Sequence, residues 1–219
     1  MIRVAIVDYK VGNLFSVEQA CKTVGLESVI TDRPDDILAA DALILPGVGA
    51  FGEAMKNLYE LNLIDPLKKF SDSGKPFMGI CLGMQLLFSK SEEFGNCEGL
   101  NLIKGEVLKF PARNINGKKI KIPQIGWNQI FNPSKSGNAW DSTPLGNIKK
   151  GEFMYFVHSF YVAASGSENI LSTTEYEGIK YCSAVIKKNI FATQFHPEKS
   201  AENGLKIYRY WAEKIKSIR

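Results

Sequence analysis

The first half of the chain alternates short, continuously apolar runs with segments of helical periodicity. The runs cover residues 2–7, 42–45 and 76–80, residues 28–31 are a further short strand-like segment, and each has the length of a strand that is buried on both faces. Residues 14–24 place apolar side chains at helical spacing before Gly25, and Pro34 opens a single helical turn between the segments 28–31 and 42–45. This order predicts βα units and a mostly parallel sheet flanked by helices.

The second half has a different pattern, in which strand-like segments follow one another across short turns. The segments cover residues 106–110, 119–122, 153–161, 171–176, 180–185 and 190–194. Glu177-Gly178 and Lys187-Lys188-Asn189 have hairpin-turn composition, and a closing helix spans about residues 201–218. An added antiparallel β section therefore extends the parallel sheet, and residues 1–219 are predicted to form a single α/β domain.

The apolar run 76–80 ends at a cysteine between two glycines. Gly79-Ile80-Cys81-Leu82-Gly83 follows a buried strand and leads into a helical segment. In such a nucleophile elbow, the sharp turn lifts the side chain above the sheet and the glycines let the neighbouring backbone approach closely. The helix N-terminus also favours a thiolate, which is the nucleophilic form of cysteine. Cys81 is therefore a candidate nucleophile.

A cysteine nucleophile needs a base, and the chain contains two histidines, His158 and His196. His196 follows the strand-like segment 190–194 and opens the sequence His196-Pro197-Glu198. Because active sites of open α/β sheets gather at the carboxyl ends of strands, this imidazole is the better candidate. Glu198 lies close enough in sequence to orient the ring and to stabilise its charged form. Cys81, His196 and Glu198 therefore form a predicted triad.

Each of these residues also has a purely structural interpretation. A cysteine in an apolar run is often an inert core residue, a histidine at a strand end is often structural, and a glutamate after proline often lies on the surface. The combination of a glycine-flanked cysteine with a His-Pro-Glu strand end favours the catalytic interpretation. The loop Pro46-Gly47-Val48-Gly49 is either an oxyanion hole built from backbone N–H groups or a simple turn between strand and helix.

Composition and charge narrow the classes of function. The 27 basic and 23 acidic residues give a net charge of +4, which is too balanced and too dispersed to indicate nucleic-acid binding. Cys21, Cys81, Cys97 and Cys182 lack the short paired spacing of zinc sites or disulfide frameworks. No signal segment precedes the first strand and no apolar run reaches about 18 residues, so we expect a soluble, cytoplasmic protein without membrane contact.

These residues resemble the triad-type (class I) glutamine amidotransferase family, in which a Gly-x-Cys-x-Gly elbow is combined with a terminal His-Pro-Glu. The resemblance implies a flavodoxin-like fold and hydrolysis of the glutamine side-chain amide through a glutamyl thioester on Cys81. His196 would protonate the departing ammonia and then activate water, while Glu198 would hold the imidazole ring. The resemblance implies no cofactor and no metal ion.

Further landmarks are similar to one branch of that family, the glutaminase subunits of imidazole glycerol phosphate synthases. These landmarks are Asp8-Tyr9 with Gly12-Asn13-Leu14, residues 45–51, Gly126-Trp127-Asn128, residues 155–159 and residues 192–200. The branch implies a heterodimer with a cyclase subunit, a (β/α)8 barrel that receives the ammonia. The products would be imidazole glycerol phosphate, used in histidine biosynthesis, and an aminoimidazole carboxamide ribotide.

The resemblance also implies how the substrate is held. The N–H groups of Val48 or Gly49 and of Leu82 would stabilise the oxyanion of the tetrahedral intermediate, and the loop would rearrange before Val48 can donate. The residues implied for the glutamine pocket are Gln85, Ser159 and Phe160. From the residues alone, Gln85 is also an ordinary helix residue.

The face toward the cyclase subunit is the least specific of these implications. Asn13, Trp127 and Asn128 are expected on exposed loops that meet the partner. Trp127, in a Gly-Trp-Asn turn, is equally a candidate core anchor, because a large aromatic ring is usually buried when it has neighbours to pack against.

Two positions depart from the usual pattern of this branch. Lys10 follows Asp8-Tyr9 where a glycine is usual, and Gln124 follows Pro123 where a histidine is usual. We expect both to face the partner region, so a related glutaminase that serves another acceptor, such as a surface-sugar synthase, is the alternative. A catalytically silent subunit, which the intact triad disfavours, and a cysteine peptidase are weaker alternatives.

Overall fold

The computed structural model of the chain describes residues 2–133 and 140–218. Its strands are β1 (Arg3–Val7), β2 (Glu27–Thr31), β3 (Ala42–Leu45), β4 (Phe77–Ile80), β5 (Lys90–Ser91), β6 (Cys97–Glu98), β7 (Gly105–Lys109), β8 (Gln124–Gln129), β9 (Phe153–His158), β10 (Phe160–Ala164), β11 (Ile170–Tyr176), β12 (Ile179–Lys187) and β13 (Ile190–Thr193). Its helices are α1 (Leu14–Thr23), α2 (Pro34–Ala39), α3 (Phe51–Glu60), α4 (Ile64–Asp72), α5 (Leu82–Leu86) and α6 (Ala201–Ser217), with 3₁₀ turns at Ser167–Asn169 and Pro197–Lys199.

Eleven strands form one sheet in the order β2-β1-β3-β4-β13-β12-β10-β7-β5-β6, with β11 paired to β12. The strands from β2 to β13 in this order run parallel. β12 runs antiparallel to β13 and begins an antiparallel section with β11, β10 and β7. β8 and β9 form a separate antiparallel pair. The α/β fold with a parallel sheet and an added antiparallel section is therefore confirmed.

The central parallel strands are almost entirely apolar because helices cover both of their faces. On β1, Val4 and Ile6 pack in a core with α1 and α6, whereas Ala5 and Val7 pack in a second core with α2, α3 and α4. Every residue of β3, β4 and β13 is buried. This double coverage explains why the strands read as continuous apolar runs rather than as an alternation.

The strand predictions of the first half agree with the structure, and 42–45 is β3 residue for residue. A helix after the loop at residues 46–49 was one of the alternatives, but the bounds of α3 and the existence of α4, between β3 and β4, were not predicted. α3 buries Phe51, Ala54 and Leu58, which are spaced as one face of a helix. The signal was therefore present in the sequence, but charged residues separate its apolar positions.

The antiparallel half contains the wrong predictions. Residues 119–122 form no strand, and only Lys119 makes an isolated bridge, to Arg113; the strand is β8, which begins at Gln124. The alternation at 119–122 reflects packing of Ile120 and Ile122 on the core without a ladder partner. The predicted strand 153–161 is divided at Ser159 into β9 and β10, because β9 pairs with β8 and β10 pairs with β7 and β12.

The described helices can be compared with the length and apolar character that a membrane-spanning helix needs. α6 is the longest described helix, at 17 residues, and it carries a charged face. Within residues 2–133 and 140–218, no helix combines the length and the apolar character needed to cross a bilayer.

Candidate active site

Cys81 lies in a strained turn between β4 and α5. Its backbone has φ 54° and ψ −109°, in the left-handed half of the map that side chains other than glycine rarely occupy. Gly83, two residues later, touches the carbonyl oxygen of Leu45, so any Cβ there would overlap the end of β3. The strain at Cys81 and the close approach at Gly83 together form the elbow that the sequence predicts.

Strand register brings the histidine to the cysteine. β13 runs parallel to β4 with Thr193 opposite Ile80, so the residues that follow each strand leave the sheet at the same carboxyl edge. The Cys81 N–H donates to the carbonyl of Thr193 at 2.7 Å and joins the two strand ends. The His196 N–H donates to the carbonyl of Tyr155 at 2.9 Å, which fixes the His-Pro-Glu turn on β9.

His196 and Glu198 form a buried charged pair. His196 Nδ1 lies 2.7 Å from Glu198 Oε1, and the side chains are only 2% and 1% exposed. Burial alone would lower the pKa of His196, but the charges of Cys81 and Glu198 outweigh it and raise this pKa to about 10. Nε2 is buried and has no hydrogen bond to a residue in the described ranges. The structure therefore brings the predicted triad together, and the charges on both sides of the imidazole favour its protonated form.

Cys81 differs from the other cysteines of the chain. Burial raises the pKa of Cys21 and Cys182 to about 12, which makes both inert thiols at neutral pH. Cys97 is partly exposed and its pKa is also raised, mainly by burial. Among the described cysteines, Cys81 is the one paired electrostatically with a histidine, as expected for a nucleophile. No described cluster of three or more His, Cys, Asp or Glu side chains could hold a metal ion.

A cavity of about 280 Å³ opens above Cys81. The lining residues are Val48, Gly49, Cys81, Leu82, Gln85, Glu93, Pro123, Val157, His158, Ser159 and Phe160. Every residue predicted for the oxyanion hole and the glutamine pocket is in this set. We call it the active-site cavity. Its volume lies at the small end for ligand sites and suits a single amino acid better than a peptide.

Glu93 places a carboxylate in the cavity wall and was not among the residues predicted from the sequence. Its Oε2 accepts a hydrogen bond from the backbone N–H of Phe51 at 2.7 Å, so the carboxylate connects the cavity wall to the start of α3. It follows Ser91-Glu92 in a run of polar residues, where neither glutamate is distinguishable by pattern. Only the fold shows which one reaches the cavity.

The glycine-rich loop after β3 is anchored from below by Tyr9. The fully buried Tyr9 hydroxyl donates to the carbonyl of Pro46 at 2.5 Å, and it occupies the space that a Cβ on Gly47 would need. Gly49 has φ 98°, which a residue with a side chain would adopt only under strain. The loop is therefore held at the cavity, with Val48 39% exposed.

The second histidine has a structural role in this fold. His158 is buried, with Nδ1 2.8 Å from the carbonyl of Phe160 and Nε2 3.3 Å from the Tyr181 hydroxyl. Burial lowers the pKa of His158 to about 4, and the neighbouring His196 adds to this effect. The imidazole is therefore neutral at neutral pH, in contrast to His196, which agrees with the choice of His196 as the acid and base.

The two departures from the family pattern have different environments. Lys10 is exposed, with φ 70°, and forms a 3.0 Å ion pair with Asp32. Gln124 is only 2% exposed, and its Oε1 accepts a hydrogen bond from Tyr181 at 2.9 Å. The expectation that both face the partner region is therefore wrong for Gln124. The alternation along β8 turns Gln124 inward and Ile125 outward.

The three residues expected on the partner face also differ in their environments. Asn13 caps α1, accepting from the Ser16 N–H at 3.3 Å, and the Asn128 side chain donates to the carbonyl of Glu175 at 2.9 Å. Trp127 is 52% exposed and packs edge to face against Tyr155, so it is not a core anchor. Trp127 and Asn128 lie on β8 rather than on a loop, which corrects the sequence-based placement.

Comparisons with known proteins agree with this geometry. Residues 5–211 match the family described as glutamine amidotransferase class-I. The chain is 48% identical, over 97% of its length and 100% of the relative, to imidazole glycerol phosphate synthase subunit HisH 1 of Legionella pneumophila. It is 43% identical to the HisH subunit of Aquifex aeolicus, with 99% of each chain covered.

Solved structures support the fold at lower sequence identity. A crystal structure described as glutamine amidotransferase superposes with a TM-score of 0.71 at 17% identity, covering 97% of this chain and 98% of the other. The structure of PurLQS from Thermotoga maritima superposes with a TM-score of 0.70 at 22% identity, with the same coverage.

Proposed function

This chain belongs to the class I glutamine amidotransferase family, and from that premise we propose that it is the glutaminase subunit of an imidazole glycerol phosphate synthase. The observation that carries the proposal is the Cys81, His196 and Glu198 constellation at the carboxyl edge, within a chain 43–48% identical to HisH subunits over nearly its whole length. The alternative of another acceptor synthase is not favoured by these relatives. The whole chain would act as one amidotransferase domain.

The first chemical step uses the charge state of the triad. The Cys81 thiolate attacks the carboxamide carbon of glutamine, a C–S bond forms, and the carbonyl electron pair moves to oxygen. Because the pKa of His196 is raised to about 10, its imidazolium is ready to give a proton to the departing ammonia. Glu198, 2.7 Å from Nδ1, holds the ring so that Nε2 carries this proton. The electron pair on oxygen then re-forms the carbonyl, the C–N bond breaks as the nitrogen is protonated, ammonia leaves, and a glutamyl thioester remains on Cys81.

The second step reverses the role of His196. After the ammonia has left, the neutral imidazole takes a proton from water, and the hydroxide attacks the thioester carbon. The C–S bond breaks, glutamate leaves, and the thiolate is restored beside an imidazolium. The same pair therefore acts as acid and then as base in each turnover.

Oxyanion stabilisation would come from backbone N–H groups at the top of the elbow. Leu82 is the first residue of α5, so its N–H has no acceptor within the helix. Val48 or Gly49 would supply a second donor from the loop that Tyr9 anchors. One such donor is worth about 3 kcal/mol of transition-state stabilisation.

The glutamine pocket would use the remaining lining residues. Gln85 contributes its Oε1, because both of its amide hydrogens are already used within the protein. The carbonyl of Phe160 is likewise occupied, so Ser159 and the Phe160 side chain would form the wall. Glu93 would attract the α-ammonium group of the substrate, which needs a negative charge at that end of a small cavity.

The partner surface would lie beside the cavity mouth. Ile125, Trp127 and Phe153 are exposed on one face of the β8–β9 pair, and Val157 on the same face lines the active-site cavity. A cyclase subunit with a (β/α)8 barrel, docked on this apolar face, would receive ammonia where it is released. We place this heterodimer in the cytoplasm, where the Cys81 thiol stays reduced.

The test is glutamine-dependent formation of imidazole glycerol phosphate by the chain mixed with the matching cyclase subunit. We expect turnover with glutamine, a loss of about 10³-fold or more in Cys81→Ser, and unchanged turnover of the Cys81→Ser complex with free ammonium. Turnover with ammonium but not with glutamine in the wild-type complex would contradict the proposal.

A further inference from the structure

A chain of buried amide groups ends at the reacting sulfur. Gln194 is fully buried one residue beyond β13, and its Nε2 lies 3.6 Å from Cys81 Sγ. Gln85 Nε2 lies 3.0 Å from Gln194 Oε1 and 3.0 Å from the carbonyl oxygen of Phe160. Gln194 does not line the cavity, so substrate binding does not account for its position.

The hydrogen-bond pattern fixes the orientation of both amides. The carbonyl of Phe160 can only accept, so Gln85 must direct its Nε2 toward it. The second hydrogen of that Nε2 points at Gln194, which must therefore present Oε1. A reversed Gln194 amide would place two donors against each other. The Gln194 N–H consequently points at Sγ, and this direction is determined by the backbone of Phe160 through Gln85.

We infer that Gln194 is a catalytic residue that stabilises the Cys81 thiolate by donating an N–H to Sγ, with Gln85 as its positioning residue. This inference rests on the proposed function, because it concerns the nucleophile of that reaction. A thiolate accepts hydrogen bonds and a thiol donates them; the carbonyl of Val157, 3.9 Å from Sγ, is the acceptor that suits the thiol. Gln194 therefore favours the ionised form and Val157 the neutral form.

The donor also completes the charge balance around the sulfur. His196 provides one positive partner for the thiolate, but it must give up its proton to ammonia during the first step. The Gln194 N–H is not consumed by that transfer and remains beside the sulfur when the thioester later expels its thiolate. It would therefore assist both the formation of the nucleophile and the departure of Cys81 from the thioester.

The test is the pH profile of Cys81 alkylation by iodoacetamide in the full-length chain, with Cys97→Ser as background and the Cys81 peptide quantified by mass spectrometry. In Gln194→Met we expect the pH midpoint to rise by about 1 unit. Because a more basic thiolate is also more nucleophilic, the rate at pH values below both midpoints should fall about threefold and the plateau at high pH should rise about threefold. A purely structural defect would lower the rate at every pH instead.

Gln194→Glu tests whether Gln194 acts as a hydrogen-bond donor or only fills space. It replaces Gln194→Met in the test if that variant fails to fold. A glutamate keeps the acceptor for Gln85 but, when ionised, has no hydrogen to donate to Sγ. We therefore expect a midpoint higher than in Gln194→Met. The matched control is Gln129→Met, which removes an amide that donates to the carbonyl of Gly151 at 2.9 Å, and we expect the wild-type profile.

Three results would overturn the inference: a wild-type alkylation profile in Gln194→Met, a wild-type profile in Gln194→Glu, or a rate that is lowered at every pH without a shift of the midpoint. None of them depends on the cyclase subunit. If the coupled assay with glutamine fails while the Gln194 variants shift the profile as expected, the proposed function is wrong and the thiolate contact stands.

Discussion

The two edges of the parallel sheet each carry a cavity, and the larger cavity is not the one beside the proposed triad. At the carboxyl edge, the active-site cavity has about 280 Å³ above Cys81. At the amino edge, a cavity of about 720 Å³ lies between the β12–β13 turn, the start of β4 and the end of α6. Its described lining includes Lys187, Lys188, Lys214 and Asp72, but no thiol or imidazole. We call it the amino-edge cavity.

What separates the two edges is how the chain turns there. At the carboxyl edge, parallel register brings the ends of β4 and β13 together, so reactive side chains from distant parts of the sequence converge. At the amino edge, Lys188 and Asn189 only connect antiparallel neighbours. Each edge contains a non-glycine residue with a positive φ, and the two values are nearly equal: 54° at Cys81 and 55° at Lys188. Convergence of side chains, rather than volume or strain, therefore distinguishes the active edge.

The largest expected effect comes from adding a side chain at Gly83, where the elbow packs directly against the end of β3. In Gly83→Ala, the new Cβ would overlap the carbonyl of Leu45, and backbone cannot move aside as a flexible side chain could. We expect a loss of about 3 kcal/mol in the free energy of unfolding, measured by urea denaturation, together with a loss of glutaminase activity.

The matched control for this prediction is Gly52→Ala. Gly52 lies in the first turn of α3 and has open space around the position of a Cβ. Alanine there should stabilise the protein by about 0.5–1 kcal/mol, because it reduces the freedom of the unfolded chain without strain. Equal effects of the two substitutions would show that close approach at the elbow does not hold the active edge together.

The second prediction concerns acid sensitivity, which we expect to arise from the neutral histidine at the carboxyl edge. The pKa of His158 is lowered to about 4, whereas an unfolded histidine titrates near 6.5, so between these values the unfolded chain binds more protons. Stability from this group is complete above about pH 6.5 and is lost as the pH falls toward 4. The loss amounts to about 3 kcal/mol.

The comparison that measures it is urea denaturation of wild type and His158→Gln at pH 7 and pH 4. The variant lacks the titrating imidazole, so it should lose about 3 kcal/mol less than wild type over this interval. His196 does not contribute to this loss of stability in acid. Its pKa is raised to about 10, so the stability that it provides is lost as the pH rises from about 6.5 to about 10. Parallel losses in the two proteins would remove His158 as the source.

The parallel half could be predicted from the sequence because its signals are local. Continuous apolar runs mark strands that are covered on both faces, and the glycines around Cys81 mark the elbow wherever the rest of the chain lies. The antiparallel half was predicted less well, since β8 and β9 exist only as a pair. The strand-like run 119–122 alternates as well as β8 does, but it has no partner strand along its length.

The same distinction applies within the site. His196 and Glu198 were predictable because they lie two positions apart in sequence, and the chain offered one alternative histidine. Glu93 and Gln194 were not, because their roles depend on which groups the fold places opposite them. The burial of Gln124 was missed for a related reason: the inward or outward direction of a strand residue depends on a register that one sequence does not reveal.

The smallest expected effect tests whether strain at the amino edge has any function. Lys188→Gly would relieve about 1–2 kcal/mol of left-handed strain and lose about 0.5–1 kcal/mol to the greater freedom of glycine in the unfolded chain. We therefore expect a gain of about 0.5–1 kcal/mol, a rise of about 2 °C in Tm, and unchanged glutamine-dependent turnover. Cys81→Gly would also relieve strain at a positive φ, but it would remove the proposed nucleophile. A loss of turnover in Lys188→Gly would show that the amino-edge cavity contributes to the reaction. Unchanged turnover would mean that strain is retained at Cys81 because the reaction needs a side chain there, and at Lys188 only because the turn tolerates it.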